Sequence, residues 1–196
     1  AMWENGLLYP CTCTRRDILD AASAPQEGAP IGPDGIVYPG TCRSRRPATG
    51  RRPDDNPLRL DLARALERTG DIDFHETGTG TQAGAVHIAA ADMIRDVGDV
   101  VLSRRDMGTS YHLSVVMDDA AQGITHVVRG QDLFEATAIH VLLQRLLELR
   151  TPTYHHHRLI RDEHGKRLAK RDDARAIAAY RAEGATPADI RQLIGL

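Results

Sequence analysis

The chain has 196 residues, 41% of them hydrophobic and 27% charged, with a formal net charge of −2. This composition excludes a disordered chain, and its near-neutral balance does not announce a nucleic-acid binder. No apolar run approaches a membrane span, no basic-then-apolar leader opens the chain, and three cysteines are too few and odd for a disulfide framework, so a reducing, cytoplasmic setting without a membrane partner is expected.

Taken in chain order, Ala1–Pro10 reads as the end of a helix, a Gly6 stop and a short extended entry. Thr14 with Asp17 three residues later signals a helix to Ala22. Residues 24–35 (Ala, Pro and Gly rich) and 43–57 read as loops. Leu58–Thr69 is apolar at a spacing that leaves helix and strand open. Ile72–Glu76 alternates like a strand, and Gly78–Gly84 is a Gly/Thr connection. Val100–Arg104, Tyr111–Met117, Thr125–Val128 and Thr153–Ile160 read as strands. Asp132 with Glu135 opens a helix running to about Leu149, whose apolar positions Phe134, Ala138, Val141, Leu142, Leu146 and Leu149 form a core face. Residues 162–165 make a turn, and Thr186-Pro187 opens a last helix.

Charge is uneven. Arg43, Arg45, Arg46, Arg51 and Arg52 form one basic cluster, and Arg158, Arg161, Lys166, Arg167, Lys170, Arg171 and Arg175 another. Only two of the 25 basic residues are lysines, Lys166 and Lys170, both in Gly165-Lys166-Arg167-Leu168-Ala169-Lys170-Arg171. A compact ammonium kept at one place, where every other cation is Arg, marks this segment as a candidate phosphate-following site.

Cys11-x-Cys13 beside Pro10 lets two sulfurs reach one centre, and Cys42 offers a third. Tetrahedral zinc suits thiolates and needs a fourth donor, which from the residues alone is a water or a histidine. His155-His156-His157 is not read as a metal tract, because adjacent strand residues face opposite ways. Asp118-Asp119 reads as a scaffold or helix cap, with a magnesium role the lesser reading. Arg129, at a strand end before Gly130, is placed to take a carboxylate bidentately.

Tyr111-His112-Leu113-Ser114-Val115-Val116-Met117-Asp118-Asp119, then Gly123-Ile124-Thr125-His126-Val127-Val128-Arg129-Gly130, then Arg167-Leu168-Ala169-Lys170-Arg171, resemble the class I glutamyl-type aminoacyl-tRNA synthetases. The likeness runs from Leu8 onward and is closest to the family's truncated paralogues that glutamylate queuosine in tRNA(Asp). It implies an α/β fold: the second half of a class I Rossmann-type catalytic domain with a zinc-bearing insertion. Residues 1–10 would end the first Rossmann half, 11–45 the zinc-binding insertion, 46–98 a connective, acceptor-type insertion, 99–160 the second half, and 161–196 a KMSKS-type loop with short helices.

The same resemblance implies a structural Zn2+ on Cys11, Cys13, Tyr38 and Cys42, with glutamate bound by Tyr111 and Arg129. Lys170 would be catalytic and would contact ATP together with Arg167, with Mg2+ as the metal of ATP. Ala169 stands where the family's loop has a serine, at a cost of about 1 kcal/mol for one lost hydrogen bond. The first half with its HIGH motif would precede Ala1, so an isolated piece would be inactive and would expose sheet edges. The expected enzyme is a monomeric ligase that forms glutamyl-adenylate and modifies queuosine-containing tRNA(Asp). The alternatives are a piece of an ordinary glutamyl-tRNA synthetase and a non-catalytic, zinc-stabilised RNA-binding remnant.

Overall fold

The computed structural model describes residues 1–22, 29–45, 50–161, 164–165, 168 and 176–195. It divides into two compact units, Ala1–His157 and Arg158–Leu196.

Among the described residues, three sheets organise the first unit. β1 (Leu8–Pro10), β4 (Leu58–Leu60) and β7 (Val101–Ser103) pair antiparallel in the order β1-β4-β7. β2 (Ile31–Gly32) and β3 (Gly35–Ile36) form a small hairpin. The third sheet is mixed, in the order β6-β5-β9-β8: β5 (Ile72–Glu76) runs antiparallel to β6 (Gly84–Ile88), while β9 (Thr153–His157) runs parallel to both β5 and β8 (His126–Gly130). Helices α1 (Arg15–Ala22), α2 (Leu62–Thr69), α3 (Ala90–Asp96), α4 (Tyr111–Ala121) and α5 (Thr137–Leu146) complete the unit. The result is α/β, with β8-α5-β9 as its parallel crossover.

α5 is buried on nearly every side from Thr137 to Gln144, as expected of a helix enclosed by a sheet and two other helices, here α2 and α4. Phe74 of β5 meets Phe134 and Tyr154 with ring centroids 5.8 and 5.5 Å apart, which locks the sheet against the segment leading into α5. The helix stops in a Schellman arrangement: Glu148 takes a positive φ of 56°, and Leu149 N–H returns to the Gln144 carbonyl at 2.8 Å.

A buried carboxylate joins β1, β4, α2 and the 38–43 loop. Asp99 is 2% exposed and accepts hydrogen bonds from the Tyr9 hydroxyl, from Arg43 Nε at 2.9 Å and from the Leu62 backbone N–H at 2.9 Å. Arg59 Nη1 donates to its backbone carbonyl at 2.7 Å. Burial and the neighbouring carboxylate push the Tyr9 hydroxyl pKa well up, so Tyr9 serves as a neutral donor.

Several elements differ from expectation. Tyr111–Met117 is the first part of α4 and not a strand. Ser110 caps it by accepting from Leu113 N–H, and His112 and Val116, four residues apart, are its buried positions. Leu58–Thr69 divides into strand and helix at Asp61, whose carboxylate caps α2 through Arg64 N–H. The helix foreseen from Asp132 begins at Thr137, after a 3-10 turn at Gln131–Leu133 that carries Phe134 into the core. The Thr14–Asp17 capping pair is formed as read, with Thr14 N–H 2.7 Å from Asp17 Oδ2. In the second unit, α6 (Ile177–Ala182) is followed by α7 (Pro187–Leu193), which opens on a reciprocal capping box of Thr186 and Asp189. The turn foreseen at 162–165 lies partly outside the described residues.

Replacing Asp99 with Ala takes the acceptor from two buried donors, the Tyr9 hydroxyl and the Leu62 N–H, and from the part-exposed Arg43. It is expected to lower unfolding stability by about 2–4 kcal/mol, read as a lower urea midpoint at unchanged m-value.

Candidate active site and metal cluster

Two constellations lie in the first unit. The first is sulfur-rich. Cys11, at the end of β1, follows a strand held by β4, and its N–H donates to the Pro57 carbonyl at 2.9 Å. Cys42 sits where the 38–43 loop turns back, its N–H donating to the Tyr38 hydroxyl oxygen at 2.9 Å. All three cysteines are free thiols, and their sulfurs lie within 4.8 Å of one another. Cys13 Sγ is 3.4 Å from Cys42 Sγ, and the Tyr38 oxygen is 3.5 Å from Cys11 Sγ and 3.4 Å from Cys13 Sγ. Four donors on a tetrahedron of ~2.3 Å radius would stand about 3.8 Å apart, so this set is nearly collapsed onto one centre.

Within the cluster burial works to raise the Cys42 thiol, but hydrogen bonds from Tyr38, Thr12 and Cys13 outweigh it and bring Cys42 down to about 6. Burial raises Cys13 to about 11, which leaves one ready thiolate beside two protonated groups. Arg59 backs the cluster: its Nε is 3.4 Å from Cys11 Sγ and its guanidinium lies 3.9 Å over the Tyr38 ring. The residues could hold a soft divalent ion.

The second constellation centres on Arg129 in β8. The structure brings it together with Tyr111, whose side chain is 56% exposed at the first turn of α4 and whose hydroxyl interacts with the guanidinium. Three further groups hold Arg129: Nε donates to His156 Nε2 at 3.0 Å, Nη1 to His140 Nδ1 at 3.0 Å, and Nη2 to the Thr137 hydroxyl. Asp119 acts on Arg129 through space.

An arginine cannot accept, which fixes every tautomer outward from it. His156 receives Arg129 on Nε2, so it carries its proton on Nδ1 and donates to Glu76 Oε2 at 2.5 Å. His140 receives Arg129 on Nδ1, so its Nε2–H donates to His112 Nδ1 at 3.0 Å. His112 then donates from Nε2 to Asp34 Oδ1 at 3.2 Å. The chain therefore runs Glu76–His156–Arg129–His140–His112–Asp34. Glu76, His156, His140 and His112 are 3, 2, 2 and 6% exposed.

Burial and the nearby guanidinium drive His140 down to about 3, and burial lowers His156 against the pull of Glu76, so both rings stay neutral. Glu76 is held below the usual carboxylate range: burial raises it, but His156 and two backbone N–H groups prevail, those of His156 at 2.9 Å and Gly78 at 2.6 Å. Gly78 makes that approach possible, since a Cβ there would stand 2.5 Å from the His156 carbonyl.

His155 and His157 flank His156 without joining it, in keeping with strand alternation: His156 alone of the three is buried. Asp118 and Asp119 lie in the last turn of α4, which runs on to Ala121. Lys166, Arg167, Ala169 and Lys170 lie outside the described residues. A cavity of about 990 Å³ is lined by Cys11, Cys13, Arg59, Arg104, Tyr111 and His112 among others, so one opening touches both constellations.

A family profile described as tRNA synthetases class I (E and Q), catalytic domain, matches residues 79–196. The chain belongs to that family. It is 66% identical over all 196 residues to the glutamyl-Q tRNA(Asp) synthetase of Rhodobacter capsulatus, spanning 69% of that protein, and 42% identical over 193 residues to that of Nocardia farcinica, spanning 56%. In fold it is similar to a glutamate-tRNA synthetase from Elizabethkingia anophelis, with a TM-score of 0.57 at 23% identity over 85% of this chain and 33% of that one. No helix among the described residues is long and apolar enough to cross a membrane.

Neutral buried histidines couple stability to acid. Their folded pKa values lie below the ordinary 6.5, so the unfolded chain takes up protons first. Stability is full above about pH 6.5 and is lost as pH falls; for His140 the loss runs down to about pH 3 at roughly 1.4 kcal/mol per pH unit, and His156 adds to it in the same direction. Urea unfolding at a series of pH values is expected to show this slope, flattened by His140→Asn.

Proposed function

We propose that the protein activates L-glutamate with ATP and Mg2+ and transfers the glutamyl group to queuosine in tRNA(Asp). The observation that carries this reading is the 66% identity over the whole chain to a relative bearing that name. The chain spans 69% and 56% of the two relatives compared, so the activity proposed is that of the whole protein.

In the activation step a carboxylate oxygen of glutamate bonds to the α-phosphorus of ATP, and the bond to pyrophosphate breaks. In transfer a hydroxyl of the queuosine cyclopentenediol takes the acyl group and AMP leaves. Arg129 takes one glutamate carboxylate. Of its five N–H groups three are engaged by His156, His140 and Thr137, leaving one on each terminal nitrogen beside Tyr111. Lys170 and Arg167 offset the negative charge that grows on the leaving phosphates.

Cys11, Cys13, Cys42 and Tyr38 suit zinc: three thiols and an oxygen already converge, and soft sulfur donors disfavour Mg2+ or Ca2+ there. Zinc bound by these four residues is structural and serves as a cross-link between the end of β1 and the 38–42 loop.

The test is glutamate-dependent ATP–pyrophosphate exchange by the full-length protein, with and without tRNA. Exchange without tRNA supports the reading; exchange only with tRNA points instead to an ordinary glutamyl-tRNA synthetase. Arg129→Lys, which loses the forked geometry, is expected to raise the glutamate KM about 10- to 100-fold. Lys170→Ala should depress exchange at unchanged metal content. Cys11→Ala should lower zinc per chain, measured by elemental analysis, together with thermal stability.

A further inference from the structure

The buried groups on either side of Arg129 do more than fill the core. We propose that Glu76–His156 on one side and His140–His112–Asp34 on the other are positioning residues, which fix the plane of Arg129 and keep its free N–H edge turned toward the bound carboxylate. The inference rests on the reading of Arg129 as the glutamate site.

Geometry argues for it. Both imidazoles present an acceptor nitrogen 3.0 Å from a different nitrogen of the same guanidinium, so together they define its orientation and not merely its location. Each acceptor is available only because the far nitrogen carries the proton, and a carboxylate holds that proton in place at each end of the chain. The burial of His140 and His156 keeps both rings neutral, so neither repels the cation it holds.

The two ends differ in freedom. Glu76 Oε1 is pinned by the N–H groups of His156 and Gly78, so Glu76 cannot turn over. Asp34 stands in the turn of the β2–β3 hairpin with its side chain about half exposed, and among the described residues no such double clamp holds it. The hairpin leads within a few residues to Tyr38. The His140 arm therefore ties the loop bearing one donor of the sulfur cluster to the orientation of Arg129.

That difference supplies the test. In Glu76→Gln the amide oxygen stays on the two backbone N–H groups, and the NH2 faces His156 Nδ1. His156 must then move its proton to Nε2, where it confronts Arg129 Nε–H, donor against donor. In Asp34→Asn the amide turns freely and still offers its oxygen to His112.

Glutamate and ATP dependence of pyrophosphate exchange would be measured for the full-length wild type and both variants, with the His156 tautomer read from nitrogen shifts of 15N-labelled protein. For Glu76→Gln we expect a glutamate KM raised about 10- to 100-fold, ATP KM and zinc content unchanged, and the proton of His156 on Nε2. Asp34→Asn should stay within about twofold of wild type, whereas Asp34→Ala should raise the glutamate KM. An active wild type whose Glu76→Gln variant keeps its glutamate KM overturns the positioning role, as does equal damage to the glutamate and ATP KM values. Wild-type protein without glutamate-dependent exchange overturns the reading of Arg129 and this inference with it.

Discussion

A guanidinium has five N–H groups and accepts nothing, so a half-buried arginine dictates the protonation of whatever surrounds it. Arg129 sets this condition for the interior of the first unit. His156 and His140 must each face it with a bare nitrogen, and those two requirements propagate through His112 to Asp34 and directly to Glu76. Strand β9 supplies His156, helix α5 His140, helix α4 His112, strand β5 Glu76 and the β2–β3 hairpin Asp34. The packing of five elements is thereby registered on one side chain.

The sulfur cluster meets the same unit through cations. A divalent ion held by three thiolates and a phenolate would carry a net charge of −2, a poor occupant of a dry interior. Arg59 answers this from β4, reaching Cys11 Sγ, the Tyr38 ring and the Asp99 carbonyl at once. Arg43, next to Cys42, is held by Asp99. The Asp99 carboxylate also takes the Tyr9 hydroxyl and the first N–H of α2. A single buried acid thus connects the loop that carries Tyr38 and Cys42 to the helix that covers the sheet.

How much of this the sequence revealed depended on range. Local signals read well: the Thr14–Asp17 and Thr186–Pro187 helix starts, and the strands at Ile72, Thr125 and Thr153. Tyr111–Met117 misled because Val115 and Val116 favour a strand, while the deciding features were the Ser110 cap and burial of His112 and Val116 on one helical face. β6 and α3, at 84–96, carry little periodic signal and were not assigned; pairing with β5 and packing on α2 make them. The three cysteines and Arg129 were legible from spacing and strand position, whereas Tyr38 and Tyr111 came from motif likeness. Glu76, His112, His140 and His156 went unrecognised because their partners in the chain lie 11 to 80 residues away in sequence. The signal present was chemical: histidines at positions whose neighbours are core.

On the proposed reading of Arg129 as the glutamate site, histidines and not acids facing it follow from what such a site has to bind. A carboxylate in direct contact would pair with the guanidinium and leave little charge to attract a second one. A neutral amide would hold it but could turn over, offering a donor as readily as an acceptor. An imidazole whose far nitrogen is committed to an acid presents one acceptor and no net charge. In this arrangement the acids stand one ring away on the Glu76 side and two rings away on the Asp34 side, near enough to fix the tautomers and too far to neutralise the cation. Arg129 is thereby held in place on three sides while its positive charge stays available at the fourth, beside Tyr111.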